Sequence, residues 1–291
     1  MIHSIRIGSD LTLKVGAHMS IAGSIDLSVD RAKERACGTF QIFTRNPRGW
    51  KFKKLSGEDV LRFKNKLAVS EIGPVVAHMP YLPNLASPFK PVHKRSVKTL
   101  ISEVERCQLL GIPYLVTHLG SHMGKGLEIG QERIVEAVNA TLAVPADKVM
   151  ILLENTAGTK NSTGTSFEEI AKILDKIQVQ ERVGVCFDTS HAFAAGYELR
   201  TEKSLNETFE RFENVVGMGR LRVIHLNDSK GGLGSHIDRH EHIGMGYIGE
   251  KGFKIILRHH LFQELPLILE TPIDSRRDDF GNIRKVRELA S

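Results

Sequence analysis

Histidines and acidic residues end short apolar runs throughout this chain. In VCFDTSHAFAAGY, an apolar run ends in Asp188, and His191 follows one helical turn later. Six of eight such runs end in the candidate metal ligands His78, His118, Glu154, Asp188, His225 and Glu270, and the first run ends in His18. Imidazoles and carboxylates buried together must pair with one another or hold cations, and a ring of this size predicts cations.

A further pair of candidate ligands lies in the segment SHIDRHEHIG. Asp238 and His240 are two positions apart, so extended backbone would point both side chains the same way. A charged surface loop has the same features, but this segment follows the seventh apolar run and therefore lies near the other candidates. With His191, the candidate metal ligands number nine. Nine imidazoles and carboxylates without a thiolate predict two or three ions, with Zn, Mn or Fe favoured over Mg.

These residues require a fold that gathers the ends of eight strands. The apolar runs predict strands at 13–18, 39–44, 74–78, 114–118, 148–154, 183–188, 221–225 and 265–270. Helical periodicity predicts helices at 22–36, 57–70, 93–110, 128–143, 166–177, 201–215 and 251–260, with a last one near 279–289. This alternation is typical of an α/β protein built as a single (β/α)8 TIM barrel, which we expect over residues 1–291. Its active site should lie where the carboxyl ends of the strands meet.

Composition sets broad limits on partners and compartment. The 291 residues include 40 Lys and Arg against 34 Asp and Glu, a net charge of +6 that permits nucleic acid as a partner. Cys37, Cys107 and Cys186 lie in apolar segments and are expected to be reduced core thiols of a cytoplasmic protein. The start, MIHSIRIGSD, lacks the apolar run of a signal peptide, and no segment approaches the roughly 18 apolar residues of a membrane helix.

Loops between the predicted elements carry features of nucleic-acid contact. FTRNPRGWKFKK interleaves basic residues with Trp50 and Phe52, which suits phosphates and bases, although a solvated basic loop has the same composition. Tyr81 and Leu82 follow His78 and could enter a base stack or pack locally. GSHMGKG lacks the spacing of a phosphate-binding motif. The remaining histidines near the predicted mouth are expected to be structural or to support the ligands: His18, His122, His236 and His242.

Several motifs in order resemble the endonuclease IV family of apurinic/apyrimidinic DNA-repair nucleases. They are VGAHMS, FTRNPRGW, HMPYLPN, HLGSHMG, ENTAG, GVCFDTSHAFAAGY, HLNDSKGGLGSHIDRHEHIGMGYIG and LILET, and together they cover essentially the whole chain. The resemblance implies a (β/α)8 barrel with three zinc ions, in part replaceable by Mn²⁺. It implies cleavage of damaged double-stranded DNA 5′ to an abasic site, leaving a 3′-hydroxyl and a 5′-deoxyribose phosphate. It also implies trimming of blocked 3′ ends.

The resemblance also assigns roles to individual residues. It implies that His78 and His118 hold the first zinc and that Glu154 bridges it to the second. Asp188, His225 and Glu270 would complete the second zinc site, and His191, Asp238 and His240 would hold the third. Glu154 would also orient the attacking hydroxide, and Arg48, Tyr81 and Leu82 match family positions that penetrate the duplex. Ser190, Leu119 and Met245 depart from the residues of some members, which affects local loop shape. We expect a monomer without an organic cofactor.

Two other functions agree with parts of the sequence. A sugar isomerase or epimerase could use the set Glu154, Asp188, His225 and Glu270 to hold one or two ions. A module that binds DNA lesions could keep its metals for structure alone. The additional trio His191, Asp238 and His240 argues against the isomerase, and so do the basic and aromatic loops. The large number of ligands argues against a purely structural role for the metals.

Overall fold

The structure, a computed structural model, describes residues 13–291, so that the predicted lack of a signal peptide in MIHSIRIGSD lies outside the described residues. The strands are β1 Val15–Ala17, β2 Phe40–Phe43, β3 Val75–His78, β4 Tyr114–His118, β5 Met150–Glu154, β6 Val183–Asp188, β7 Leu221–His225, β8 Asp228–Ser229, β9 His240–Glu241 and β10 Leu267–Leu269. The helices are α1 Leu27–Glu34, α2 Gly57–Ala68, α3 Lys90–Leu110, α4 Leu127–Leu142, α5 Phe167–Leu174, α6 Thr189–Ala195, α7 Glu202–Val215, α8 Gly249–Arg258, α9 His260–Glu264 and α10 Asp279–Ala290.

Eight of the strands form one parallel sheet in the order β1, β10, β7, β6, β5, β4, β3, β2. The first and last strands of this order meet, because the Met19 amide donates to the Gln41 carbonyl at 2.7 Å and His18 forms a bridge with Gln41. A Cβ on Gly16 would lie 1.6 Å from the Thr39 carbonyl oxygen, so only glycine permits this approach. The predicted (β/α)8 barrel is confirmed.

Alternation along the strands places the candidate ligands above the inner core. Six buried residues fill the barrel, namely Val76, Val116, Leu152, Cys186, Val223 and Ile268. Each of them lies two positions before one of the six candidate ligands at the strand ends. Side chains two positions apart point to the same side of a strand. Each of these six ligands therefore extends the inner layer toward the mouth. The outward-facing residues pack against the helices in the larger core cluster.

Several predicted boundaries are wrong. The helix predicted at 22–36 begins only at Leu27, because the Ser20 and Ala22 carbonyls instead accept hydrogen bonds from the Arg31 guanidinium at 2.6 and 2.8 Å. The helix predicted at 251–260 is divided into α8 and α9. His259 separates them with an extended backbone (φ −71°, ψ 133°) while its ring stacks on Phe209. The hairpin of β8 and β9 was not predicted.

The cysteines agree with the expectation of thiols in the core. Cys37, Cys107 and Cys186 are buried and free. Burial raises the pKa of Cys186 to about 12, so this residue is a thiol at neutral pH. None of the described helices combines the length and apolar character needed to cross a membrane.

Candidate metal centre

The strand ends and two following segments bring potential ligands together in three groups. The first contains His78, His118 and Glu154; the second contains Glu154, Asp188, His225 and Glu270; the third contains Asp188, His191 and His240. Within each group the nearest ligand atoms all lie within 4.8 Å of one another. Glu154 and Asp188 each belong to two groups, so the three candidate positions share carboxylates.

Glu154 is at the centre of this arrangement, and its side chain is completely buried. Its Oε2 atom lies 3.2 Å from His78 Nε2 and 3.0 Å from His118 Nε2. Its Oε1 atom lies 3.0 Å from His225 Nδ1 and 3.4 Å from His191 Nδ1. The two oxygens of one carboxylate therefore face two different sets of imidazoles, which is the geometry of a bridging ligand.

The third group depends on the helix after β6 and on the hairpin. Asp188 caps α6 by accepting the His191 amide at 2.8 Å, which fixes His191 one turn away. His191 Nε2 lies 3.2 Å from Asp238 Oδ1, and His240 Nε2 lies 3.6 Å from Asp188 Oδ2. Asp238 is 47% exposed, but its carboxylate contacts the buried His191. The structure thus brings all nine candidate ligands to the mouth of the barrel.

Asp228, which sequence reasoning missed, positions the hairpin. Its buried carboxylate accepts backbone N–H groups from Ser229, Gly244, Gly246 and Ile248 at 2.8–3.0 Å. A Cβ on Gly246 would lie 2.4 Å from the Ser229 carbonyl oxygen, so glycine is required there. Because β8 pairs with β9 through Asp228 and Ser229, this anchored turn fixes the strand that carries His240. The glycines of HIGMGYIG indicate a tight turn, but they do not indicate that the Asp228 carboxylate binds the backbone of this turn.

Two asparagines join neighbouring strand ends. Asn155 accepts the Asp188 amide at 2.7 Å and donates to the Asp188 carbonyl at 3.1 Å, which joins β5 to β6. Asn227 donates to Asp188 Oδ2 at 2.7 Å and accepts the Glu270 amide at 2.8 Å. These bonds orient two candidate ligands from the layer behind them. Neither role was predicted, because an Asn after a strand is also common in turns.

Hydrogen bonds to the rings leave one nitrogen of each buried imidazole available. The Nδ1 atoms of His78, His191 and His240 face backbone carbonyls at 2.7, 3.0 and 3.2 Å, to which each can donate. Their Nε2 lone pairs are then free to bind a cation. The two nitrogens of His225 have the opposite roles. Its Nε2 faces Gln41 Oε1 at 2.9 Å, and its Nδ1 faces the carboxylates of Glu154 and Glu270.

Charge strengthens the case for cations. Burial alone would raise the pKa of Glu154, but His118 and His225 outweigh it and hold that pKa well below its usual value. Burial alone would lower the pKa of His191, but Asp188 and Asp238 raise it well above its usual value. The His191 hydrogen bond lowers the pKa of Asp238 to about 2. Ionised carboxylates and cationic imidazoles therefore balance each other, and a bound cation would replace the imidazole protons.

The residues fit a set of divalent transition-metal ions. The donors are imidazole nitrogens and carboxylate oxygens, which suit Zn²⁺ and Mn²⁺. The Nε2 atom of His240 is buried and has no hydrogen-bond partner among residues 13–291, although it lies beside Asp188. A cation between His240 Nε2 and the Asp188 carboxylate explains why this buried nitrogen has no hydrogen-bond partner.

The segments predicted to contact DNA border the same mouth. Tyr81 is 63% and Leu82 41% exposed, and both line a cavity of about 310 Å³ with His78, His118 and Asp238. The Tyr81 ring packs edge-on against Phe43, with centroids 5.0 Å apart. Arg48 is exposed on the adjacent loop, where the Tyr81 amide donates to the Pro47 carbonyl at 3.3 Å.

Part of the basic loop has an internal role that differs from the predicted one. Arg45 is buried, and its guanidinium lies 2.6 Å from the buried Glu103 and 4.2 Å from the ring centroid of Phe52. Trp50 stacks with Arg95 at 4.3 Å. These contacts anchor the loop, whereas Lys51, Lys53 and Lys54 remain exposed and available for phosphates.

The remaining histidines near the mouth have contacts in different parts of the structure. His242 contacts Asp274 at 3.0 Å, the His236 ring lies 3.1 Å from the Ala157 carbonyl, and His122 accepts the Gly126 amide at 3.3 Å. These contacts agree with their predicted structural role. His18 is different, because it lies within the centre, 3.7 Å from Glu270.

Comparison with known proteins gives consistent family relationships. Residues 29–290 match the family described as the xylose isomerase-like TIM barrels. A protein of Methanoculleus marisnigri called probable endonuclease 4 is 57% identical over 277 residues, which cover 95% of this chain and 98% of that protein. The crystal structure of endonuclease IV from Thermus thermophilus superposes with a TM-score of 0.83 at 34% identity, covering 95% of this chain and 98% of that one.

A more distant likeness shows the fold alone. A D-tagatose 3-epimerase-like protein superposes with a TM-score of 0.71 at 19% identity, over 95% of both chains. The identities of 57% and 34%, by contrast, hold over 95% of this chain. This chain belongs to the endonuclease IV family of the xylose isomerase-like TIM barrels.

Proposed function

We propose that this protein is a metal-dependent DNA-repair endonuclease that hydrolyses the phosphodiester 5′ to abasic sites. The products would be a 3′-hydroxyl and a 5′-deoxyribose phosphate. The main support is the convergence of three ligand groups on the shared carboxylates of Glu154 and Asp188. Membership of the endonuclease IV family supports the nuclease activity, and the exposed basic loop supports DNA as the partner.

We propose three zinc ions, in part replaceable by Mn²⁺. His78 and His118 would hold the first, with Glu154 bridging to the second. Asp188, His225 and Glu270 would complete the second site. His191, Asp238 and His240 would hold the third, which the 3.2 Å contact of His191 with Asp238 supports. We also propose that the protein acts as a monomer, and the chemistry requires no organic cofactor.

When bound, such ions supply an activated water for attack on phosphorus and positive charge beside the departing 3′-oxygen. The residues of the chain prepare the site for this chemistry. Glu154 stays ionised because its imidazole neighbours lower its pKa, so its free lone pairs can accept a hydrogen bond and orient the nucleophile. Asn155 and Asn227 hold Asp188 and Glu270 in position. No side-chain acid is required for the leaving group.

The loops around the mouth would select damaged DNA. Arg48, Tyr81 and Leu82 are exposed beside the metal centre and would enter the duplex there. The abasic nucleotide has no base to unstack, so turning it toward the metals costs less than the few kcal/mol typical of a normal nucleotide. The same centre would also remove blocking groups from 3′ ends, because these too are phosphate esters.

Two rival functions receive less support. A sugar isomerase or epimerase needs only the group of Glu154, Asp188, His225 and Glu270, and it leaves the contact between His191 and Asp238 unexplained. A module that only binds lesions leaves the number of ligands unexplained, because structural metals do not require three ligand groups that share Glu154 and Asp188.

The test combines metal counting with a nicking assay. Elemental analysis of the purified protein should give about three ions, zinc or zinc with manganese. In a duplex that contains one abasic site, the protein should cut the strand on the 5′ side of that site. Strong chelation should abolish this cleavage until zinc is restored. One ion per chain would refute the trinuclear proposal. Three ions without nicking would favour the binding module, and ketose epimerisation would favour the isomerase.

A further inference from the structure

His18 lies inside the metal centre but is not one of the nine candidate ligands. Its Nδ1 atom lies 3.0 Å from Gln41 Nε2 and 3.7 Å from Glu270 Oε1. Its Nε2 atom is buried and has no hydrogen-bond partner among the described residues. Buried polar atoms in proteins are almost always paired, so this atom requires an explanation.

The amide of Gln41 has only one possible orientation. One end lies 2.7 Å from Glu270 Oε1, and a carboxylate oxygen can only accept, so this end must be the amide N–H2. The opposite end is then the oxygen, which lies 2.9 Å from His225 Nε2 and accepts its proton. The nitrogen of His225 that remains for a metal ion is then Nδ1, which faces Glu154 and Glu270.

The orientation of Gln41 in turn fixes the tautomer of His18. The second proton of the Gln41 amide nitrogen points to His18 Nδ1, which must therefore accept it. The ring of His18 then carries its own proton on Nε2. Ring geometry directs this Nε2–H away from Gln41. His18 is thus a neutral donor whose only N–H has no acceptor within residues 13–291.

The surroundings of His18 indicate what that acceptor is. His18 lines a cavity of about 530 Å³ with Tyr81 and Glu270. Its ring packs on Phe43, with centroids 4.3 Å apart, and Phe43 packs on Tyr81 at 5.0 Å. This side of the mouth is therefore a wall of rings with one N–H donor. A phosphate is better held on the opposite side by cations, whereas the wall suits a sugar, which has apolar faces and a few oxygens.

We propose that His18 donates a hydrogen bond from Nε2 to the C1′ hydroxyl of the extruded abasic deoxyribose, and that Gln41 fixes the tautomer that makes this possible. This inference rests on the proposed function. A normal nucleotide carries a base at C1′ in place of that hydroxyl, so the contact would contribute to lesion selection. Its loss should cost about 3–10-fold, as expected for one neutral hydrogen bond.

The experiment compares two duplexes with zinc-loaded enzyme. One contains a natural abasic site, and the other contains the tetrahydrofuran analogue, which lacks only the C1′ hydroxyl. His18→Phe keeps the stacking on Phe43 but removes the donor, and His18→Gln keeps an N–H donor. His18→Phe should lower kcat/KM by about 3–10-fold for the natural site and little for the analogue. His18→Gln should retain most of the preference, and both variants should keep wild-type zinc content.

Tautomer-sensitive ¹H–¹⁵N spectra of the zinc-loaded wild type give a readout independent of activity. The His18 signal, identified by its absence in His18→Gln, should show the proton on Nε2; a proton on Nδ1 would overturn the inference. Equal losses on both duplexes would also overturn it, and a loss of zinc in His18→Phe would make His18 a support of the metal centre instead. If the wild type cuts neither duplex, the proposed function itself fails and the inference with it.

Discussion

The Nε2 atom of His191 lies 3.2 Å from Oδ1 of Asp238, although the two residues are on different elements. His191 belongs to α6, directly after β6, and Asp238 belongs to the loop between β8 and β9. The contact therefore couples the helix turn that follows Asp188 to a hairpin that follows β7. A cation bound by both side chains would make this link between the helix and the hairpin part of the metal centre.

Replacing His191 with alanine should weaken the third proposed metal far more than the fold. The departing oxygen would lose its neighbouring cation, so cleavage of an abasic duplex should fall by at least about 100-fold. Binding of the duplex should change little, because Tyr81 and Arg48 are untouched. Metal content, single-turnover cleavage and duplex affinity should be measured on the same preparation.

His236→Ala is the matched control for His191→Ala. His236 lies in the same loop as Asp238, but within residues 13–291 its ring hydrogen-bonds only to the Ala157 carbonyl, at 3.1 Å. It should keep wild-type metal content and turnover. Unchanged turnover in His191→Ala would remove His191 from the mechanism.

Asp228→Asn should disturb the metal centre from a distance. An amide nitrogen would replace one of two oxygens that now accept backbone N–H groups from Ser229, Gly244, Gly246 and Ile248. The unpaired donors should lower the free energy of unfolding by about 2–4 kcal/mol. The loosened hairpin should weaken the third metal about 10–100-fold. Chemical unfolding and metal titration measure the two effects, and the exposed Asp175→Asn should change neither.

Tyr81→Ala and Arg48→Ala should act on lesion discrimination. If these side chains hold the duplex open beside the metals, truncation should reduce the affinity for abasic DNA by about 10-fold or more, with metal content unchanged. Affinity for the matched intact duplex should fall much less. Fluorescence titration of both duplexes across a salt series gives the comparison.

Lys51→Ala is the control for the two loop variants, because Lys51 is exposed on the same segment as Arg48. Loss of a phosphate contact in this variant should weaken binding to abasic and intact DNA alike and reduce the salt slope by about one. Wild-type discrimination in Tyr81→Ala and Arg48→Ala would show that these loops only attract DNA.

Asp26 should give the protein a pH-dependent contribution to stability. Burial would raise its pKa, but hydrogen bonds from Lys66, at 2.8 Å, and from Ser24 lower the pKa to about 2, from 3.8 in the unfolded chain. The ionised form therefore stabilises the fold above pH about 4, by about 1–2 kcal/mol after allowing for the partial exposure of Lys66. This contribution is lost as the pH falls from about 4 to about 2.

Asp26→Asn isolates that contribution. Denaturant unfolding should show the variant to be less stable than the wild type at pH 7, and the difference should shrink to roughly half at pH 3. Comparing the two proteins at each pH cancels the titration of the metal centre. A difference that stays constant between pH 7 and pH 3 would mean that Asp26 acts through packing and not through its charge.

The barrel and the ligand positions could be predicted because both follow from continuous apolar runs that end in a polar residue. An apolar run that ends in His78 or Glu154 marks a buried strand and also places its last side chain at the mouth. The shared mouth then follows from the fold class, without knowledge of any distance. The strand order and the closing contact between His18 and Gln41 needed the structure.

Residues whose role is to position other side chains or segments could not be predicted from the sequence. Gln41 appears in TFQIFT as one polar residue in an apolar strand, which is also typical of an ordinary buried amide. Its role depends on which atoms of His18, His225 and Glu270 surround it, and this depends on three strands that are distant in sequence. Asp228 was missed for the same reason, because its partners Gly244, Gly246 and Ile248 lie 16–20 positions away.

The place of β10 between β1 and β7 has a consequence for protein synthesis. A polypeptide that ends before Leu267 lacks both the strand that joins those two neighbours and the carboxylate of Glu270. Such a fragment can neither close the ring nor complete the group around His225. We therefore expect an interrupted translation product to be inactive, because one late segment completes both the scaffold and the candidate metal centre.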